Sequence, residues 1–180
     1  MTDKLQLLES LFSAHDCADF RWIDPRNIVV AQWVRLKCQF GCSTYGQHAV
    51  CPPNLPSVTD CRTFFDEYSR AALFHFARAV EKPEDRHIWT KGLDKNLLKL
   101  ERAVFLAGYR KALAFTVDQC MTCDTCTGDR RTCRHPKLAR PTLEGTAVDV
   151  FATVTQVGFP ISVLTDYSDE MNRYALLMIE

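Results

Sequence analysis

A layered α/β sandwich built around one sheet is the fold this sequence predicts. Strand-length runs of β-branched and apolar residues alternate with longer stretches of helical period. Hydrophobic residues make up 47% of the 180, enough to bury a sizeable core without crosslinks. No internal repeat, low-complexity tract or linker divides the chain. The expectation is one domain over residues 1–180, with a mixed sheet of about five strands, helices against it, and two cysteine-rich loops at strand ends.

Leu5 to Phe12 repeats apolar residues at helical spacing and reads as a short amphipathic helix. Ile28 to Val34 is rich in β-branched residues, reads as a strand, and runs directly into Cys38. From Cys38 to Pro56 the Gly, Pro and Ser content is that of a loop. Ser57 is placed to cap a helix reaching about Tyr68, and Ala71 to Ala77 follows as a second strand. Pro83 opens a long helix with Leu93, Leu97, Leu98, Leu100, Val104, Phe105 and Leu106 on its apolar face, and Gly108 is its stop. Ala112 to Val117 is a third strand, again leading into cysteines. Thr142 is placed to cap a helix from Leu143 to about Val157, which Gly158 ends. Ile161–Leu164 and Tyr174–Ile179 close the chain as two more strands.

The charge is balanced, 22 basic against 22 acidic residues, and gives no electrostatic case for nucleic acid or an anionic membrane. The start of the sequence lacks the apolar core of a signal peptide, and no apolar run approaches the roughly 18 residues of a membrane span. The expected location is the cytoplasm. There is no G-x-G-x-x-G and no P-loop.

Nine cysteines then need a reason. In an exported protein they would read as disulfides; in a reducing compartment, cysteines at short spacing read as metal ligands or redox thiols. Cys120, Cys123 and Cys126 fall at two-residue intervals, with Cys133 six residues on. This C-x2-C-x2-C run is the pattern of ferredoxin-type 4Fe–4S sites, in which a tight loop points successive thiolates at successive irons. Zinc usually takes two separated C-x2-C pairs, so zinc is the alternative metal. The other loop offers Cys38, Cys42 and Cys51, with Cys51 followed by Pro52 and Pro53. Gly41 and Gly46 there leave room for a bulky cofactor.

Two 4Fe–4S clusters ordinarily take four thiolates each, and these loops supply seven between them. In one pairing Cys120, Cys123, Cys126 and Cys133 form a complete site, and Cys38, Cys42 and Cys51 hold a cluster with one iron open. In another, a first-loop cysteine such as Cys51 completes the Cys120 run while Cys133 joins the first loop, as remote ligands do in two-cluster ferredoxins. A single cluster or mixed metals is a third arrangement. His48 lies where it would serve as the missing ligand or stand as a surface imidazole. Cys17 and Cys61 lie outside the loops and read as buried small hydrophobes. His75 and His87 read as structural, and His135 as a neighbour of the second site. Phe40 and Tyr45 are candidates to shield the first site from water. Arg130, Arg131 and Arg134 offer a cationic face to an acidic redox partner protein, or a solvated loop surface.

Cys38-x3-Cys42, Tyr45-Gly46, Cys51-Pro52-Pro53, Cys120-x2-Cys123-x2-Cys126 and Cys133-Arg134-x-Pro136 together resemble a family of bacterial and archaeal predicted metal-binding proteins. Ala139 to Glu144 and Asp149-Val150-Phe151 resemble its pattern as well, and the likeness runs from about Val30 onward. It implies metal binding by the seven cysteines in one small domain, with no reaction attached. Three functions follow as expectations: an electron-transfer protein with two 4Fe–4S clusters, an enzyme using an open iron at Cys38/Cys42/Cys51, or a structural zinc module for protein interaction.

Overall fold

The computed structural model describes residues 2–166 and 168–180. Its helices are α1 (Thr2–Ala14), α2 (Gln32–Gly41), α3 (Val58–Asp66), α4 (Pro83–Leu106) and α5 (Val150–Gln156), and its strands are β1 (Phe20–Ile23), β2 (Ala71–Arg78), β3 (Leu113–Phe115) and β4 (Met171–Met178). The strands form one sheet in the order β1-β2-β4-β3, and every pair is antiparallel. The expected mixed sheet of about five strands is therefore corrected to an antiparallel sheet of four.

The layering follows from the alternation of side chains along the strands. Ala71 and Leu73 of β2, with Leu176 and Met178 of β4, face a core completed by Phe65 of α3, Leu143, Val148 and Val154 of α5. Ala72, Phe74, Ala175 and Leu177 face the other way, against Leu8 and Phe12 of α1 and Leu97, Leu100 and Val104 of α4. Helices thus cover both faces of the sheet. None of the seven loop cysteines belongs to either core. Each large side chain fully buried here contributes roughly 1.5–3 kcal/mol, so the central strands and their helices hold the fold.

Several elements are as the sequence predicts. The side chain of Ser57 accepts from Asp60 N–H and Asp60 reaches back to the cap, closing a capping box at the start of α3. Gly108, at φ +102°, ends α4. Two strands do not form. Ile28 and Val30 are buried but lie in an irregular segment, where Val30 makes a single antiparallel bridge to Val148. Residues 32–41 then wind into α2, in which Val34 is buried, Arg35 and Cys38 on the same side are half-buried, and the remaining positions are exposed. Ile161–Leu164 has no regular structure, and its Val163 is exposed.

The helix expected over 143–157 is interrupted. The Thr142 hydroxyl does accept from Gly145 N–H, at 3.0 Å, but it starts only a short turn, Glu144–Thr146. Ala147 then turns to φ +63° because its carbonyl accepts from Ala31 N–H (2.9 Å), and Asp149 N–H donates to Val29 O (2.7 Å). Asp149 begins afresh as the cap of α5. On α4, Phe105 and Leu106 turn to solvent rather than joining the apolar face.

Candidate metal centre

The second cysteine loop hangs from a closed neck. Thr116, just past β3, donates its N–H to Pro141 O at 3.0 Å and bridges to Thr142, so the excursion leaves and returns at adjacent points. Glu101 of α4 braces that neck: it accepts from Ala114 N–H (2.7 Å) and holds Arg140 through two hydrogen bonds of 2.8 and 2.5 Å. Within the loop, Gly128 takes φ +74°, which lets the chain double back after Cys126. Asp129 then caps the short turn that delivers Cys133, accepting from Arg131 N–H at 2.8 Å.

Cys120, Cys123, Cys126 and Cys133 line one small cavity, together with Ala49, Thr122, His135 and Ala139. All four are half-buried free thiols. The pKa of Cys123 is raised by desolvation and then by the neighbouring charges of Cys126, Cys120 and Cys133.

Cys38, Cys42 and Cys51 gather elsewhere. Cys38 stands on the last turns of α2 and Cys42 caps that helix, correcting the expectation that both lie in a loop. Cys51 immediately precedes the short Pro52–Asn54 turn, whose Asn54 N–H donates to Cys51 O at 2.9 Å. Burial raises the Cys38 pKa, and Cys42 and Cys51 add to the rise. These three thiols line a cleft of about 610 Å³. The cysteines are therefore gathered as a set of four and a set of three.

The two loops are locked together. Asn54 Nδ2 donates to His48 O (3.3 Å) and to Gly128 O (2.9 Å), and its Oδ1 accepts from Arg130 N–H (3.1 Å). Thr44 Oγ1 donates to Gln119 Oε1 at 3.0 Å. Two consecutive amides then reach both thiol sets: His48 N–H donates to Cys51 Sγ (3.4 Å) and Ala49 N–H to Cys126 Sγ (3.3 Å). Thiolate-rich sites need such donors to offset their charge. The set of four offers one thiolate to each iron of a four-iron cluster, and the set of three is one short. Among the described residues, no three His, Cys, Asp or Glu side chains are placed to hold a single metal ion.

His48 borders the cleft, and its Nδ1 is enclosed without a hydrogen-bond partner. Cys17 and Cys61 are buried, as expected, and burial pushes the Cys17 thiol up to about 12. His75 is structural: its ring nitrogens meet Asp19 Oδ2 at 2.7 Å and Asn172 Oδ1 at 2.6 Å. Phe40 is 81% exposed and shields nothing. Arg131 is paired with Asp129 at 2.7 Å but otherwise projects into solvent, and Arg130 and Arg134 are exposed beside it.

The cleft also holds residues that no sequence pattern singles out for it: Arg86, Asp118, Glu144 and Arg173. Glu144 appears in the sequence only as part of the family-like Ala139–Glu144 stretch. Its side chain is wetted by the cleft yet crowded by protein, and this crowding raises its pKa against the lowering effect of Thr142 and Arg173. A family model described as "Predicted metal-binding protein (DUF2284)" matches residues 21–179 of the chain. No curated protein and no solved structure matches it.

Proposed function

We propose that this chain, which belongs to the DUF2284 family of predicted metal-binding proteins, is an iron–sulfur protein that transfers electrons between two 4Fe–4S clusters. Cys120, Cys123, Cys126 and Cys133 would hold one, and Cys38, Cys42 and Cys51 the other. The observation that carries this reading is the segregation of seven free thiols into a set of four and a set of three, with consecutive amides touching one sulfur of each. A 4Fe–4S cluster supplies one-electron redox chemistry, with a potential set by its charge, its hydrogen bonds and its exposure.

The protein's own groups suit that task. The Ala49 and His48 amides stabilise added negative charge on the sulfurs they touch. The peptide between them puts Cys126 Sγ and Cys51 Sγ no further apart than about 11 Å, which allows transfer in one step. Arg130, Arg131 and Arg134 give an acidic redox partner a cationic surface beside the four-cysteine set. Free thiols at this density suit a reducing compartment, the cytoplasm. Among the described residues no helix is long and apolar enough to cross a membrane.

The cleft favours a second reading. Where only three thiolates hold a cluster, the fourth iron is open, and here the three thiols face a volume large enough for a small molecule. On that reading the three-cysteine site is catalytic and the four-cysteine site feeds it electrons.

Anaerobic iron and acid-labile sulfide analysis, with electron paramagnetic resonance of the reduced protein, tests both readings. The expected result is brown protein with about eight irons and eight sulfides per chain. Colourless protein with stoichiometric zinc would overturn the iron–sulfur assignment in favour of a structural zinc module.

A further inference from the structure

The cleft has its own charge pattern, independent of the thiols. Three cations border it: Lys37 on α2, Arg86 on α4 and Arg173 on β4. The Nε–H groups of Arg86 and Arg173 are enclosed and have no hydrogen-bond partner. Among the described residues neither guanidinium makes an ion pair within 4 Å. Unsatisfied charged donors are costly unless something else satisfies them.

The carboxylates of the cleft are poor candidates for that role. Asp118 accepts from Thr90 Oγ1 (3.2 Å) and Gln119 N–H (2.8 Å), with His87 Nδ1 at 3.7 Å. Asp149 is committed to capping α5 through Ala152 N–H at 2.9 Å. Glu144 borders the cleft as well, and among the described residues no ion pair within 4 Å joins it to either arginine. Trp33 and Phe151 also border the cleft, each about half exposed. A volume of about 610 Å³ falls within the usual range for small-molecule sites.

We infer that this cleft is a binding site for a small organic oxyanion, a carboxylate or phosphate ester on an apolar body. Its charged end sits at Arg173 and Arg86, and its body lies against Trp33 and Phe151. That the ligand sits beside a cluster rests on the reading proposed above; its binding does not.

Calorimetric titration of the anaerobically prepared protein with benzoate, phenyl phosphate and the neutral isostere benzamide tests the inference. One anion is expected to bind saturably at one site, with benzamide about tenfold weaker or worse, and benzoate against phenyl phosphate separates the two oxyanions. Arg173→Met and Arg86→Met should each weaken the anion by about ten- to a hundredfold with iron and sulfide content unchanged. Should the β4 variant fail to fold, the α4 variant decides. Equal binding of benzamide and benzoate, no anion binding, or unaltered binding by the folded variants overturns the inference. Anion binding by protein free of iron and sulfide upholds the site and overturns the cluster reading instead. On cluster-bearing protein the bound anion is expected to shift the paramagnetic spectrum in the wild type and not in Arg173→Met.

Discussion

Ala49 donates its backbone N–H to Cys126 Sγ at 3.3 Å, joining a residue of the first cysteine loop to a thiol of the second. The Ala49→Pro substitution deletes that donor. The four-cysteine site should then be harder to reduce by on the order of 40 mV, the equivalent of one net hydrogen bond for a single electron. A potentiometric titration followed by paramagnetic resonance reads the shift. An unchanged or raised potential contradicts the assignment.

The separation of the thiols into two sets predicts independent loss. Cys126→Ser should lower iron from about eight to about four per chain and leave the spectrum of the three-cysteine site in place. Cys38→Ser should do the converse. If either variant loses both signals or neither, the ligands are shared across the loops and the assignment is wrong.

Asn54 makes three hydrogen bonds, two of them across the interface between the loops. Asn54→Ala leaves two carbonyls and one amide without that partner and should cost about 1–3 kcal/mol. Denaturant titration of the loaded protein measures the loss, and faster amide exchange around Gly128 and Arg130 should accompany it. Full stability with unchanged exchange would show that the loops are held by something else.

Burial pushes the Asp94 carboxyl up to about 8, against the lowering effect of the Val117 N–H it accepts. The folded protein therefore holds a proton at Asp94 that the unfolded chain, with an ordinary carboxyl near 4, has released. Stability from this group is fully present below about pH 4 and is lost as pH rises through 8. Asp94 is only partly enclosed, so the slope is a fraction of the one-proton limit of about 1.4 kcal/mol per pH unit. Asp94→Asn should flatten the stability profile between pH 5 and 8, and an identical profile in the variant would rule Asp94 out as its source.

The parts of the molecule legible in the sequence are those whose signal is local. Ser57 and Asp60 announce the start of α3 within four residues, and Pro83 and Gly108 frame α4. The Cys120–Cys133 set is legible for the same reason, since one loop supplies every member. Ile28 to Val34 misleads because β-branched residues suit both a strand and a buried irregular segment. Only the bridge from Val30 to Val148, 118 residues on, decides between them. Strand β1 is missed because four residues, Phe20 to Ile23, carry too little pattern before Phe74 and its neighbours pair with them. The cleft is invisible for a further reason: Lys37, Arg86, Glu144 and Arg173 come from four separate elements, and no periodicity links residues that meet only after folding.

The bridge from Thr116 to Thr142 closes the neck of the second cysteine loop from the fold's side. The sheet lies wholly on the near side of that neck, as do both cores apart from Val117, and none of the seven thiols takes part in them. This sets an order of events in the life of the chain. On the iron–sulfur reading, folding can run to completion first and present the thiol-bearing loop for loading afterwards. On the same reading, loss of a cluster to oxygen would spare the architecture, and the same molecule could be refilled rather than replaced.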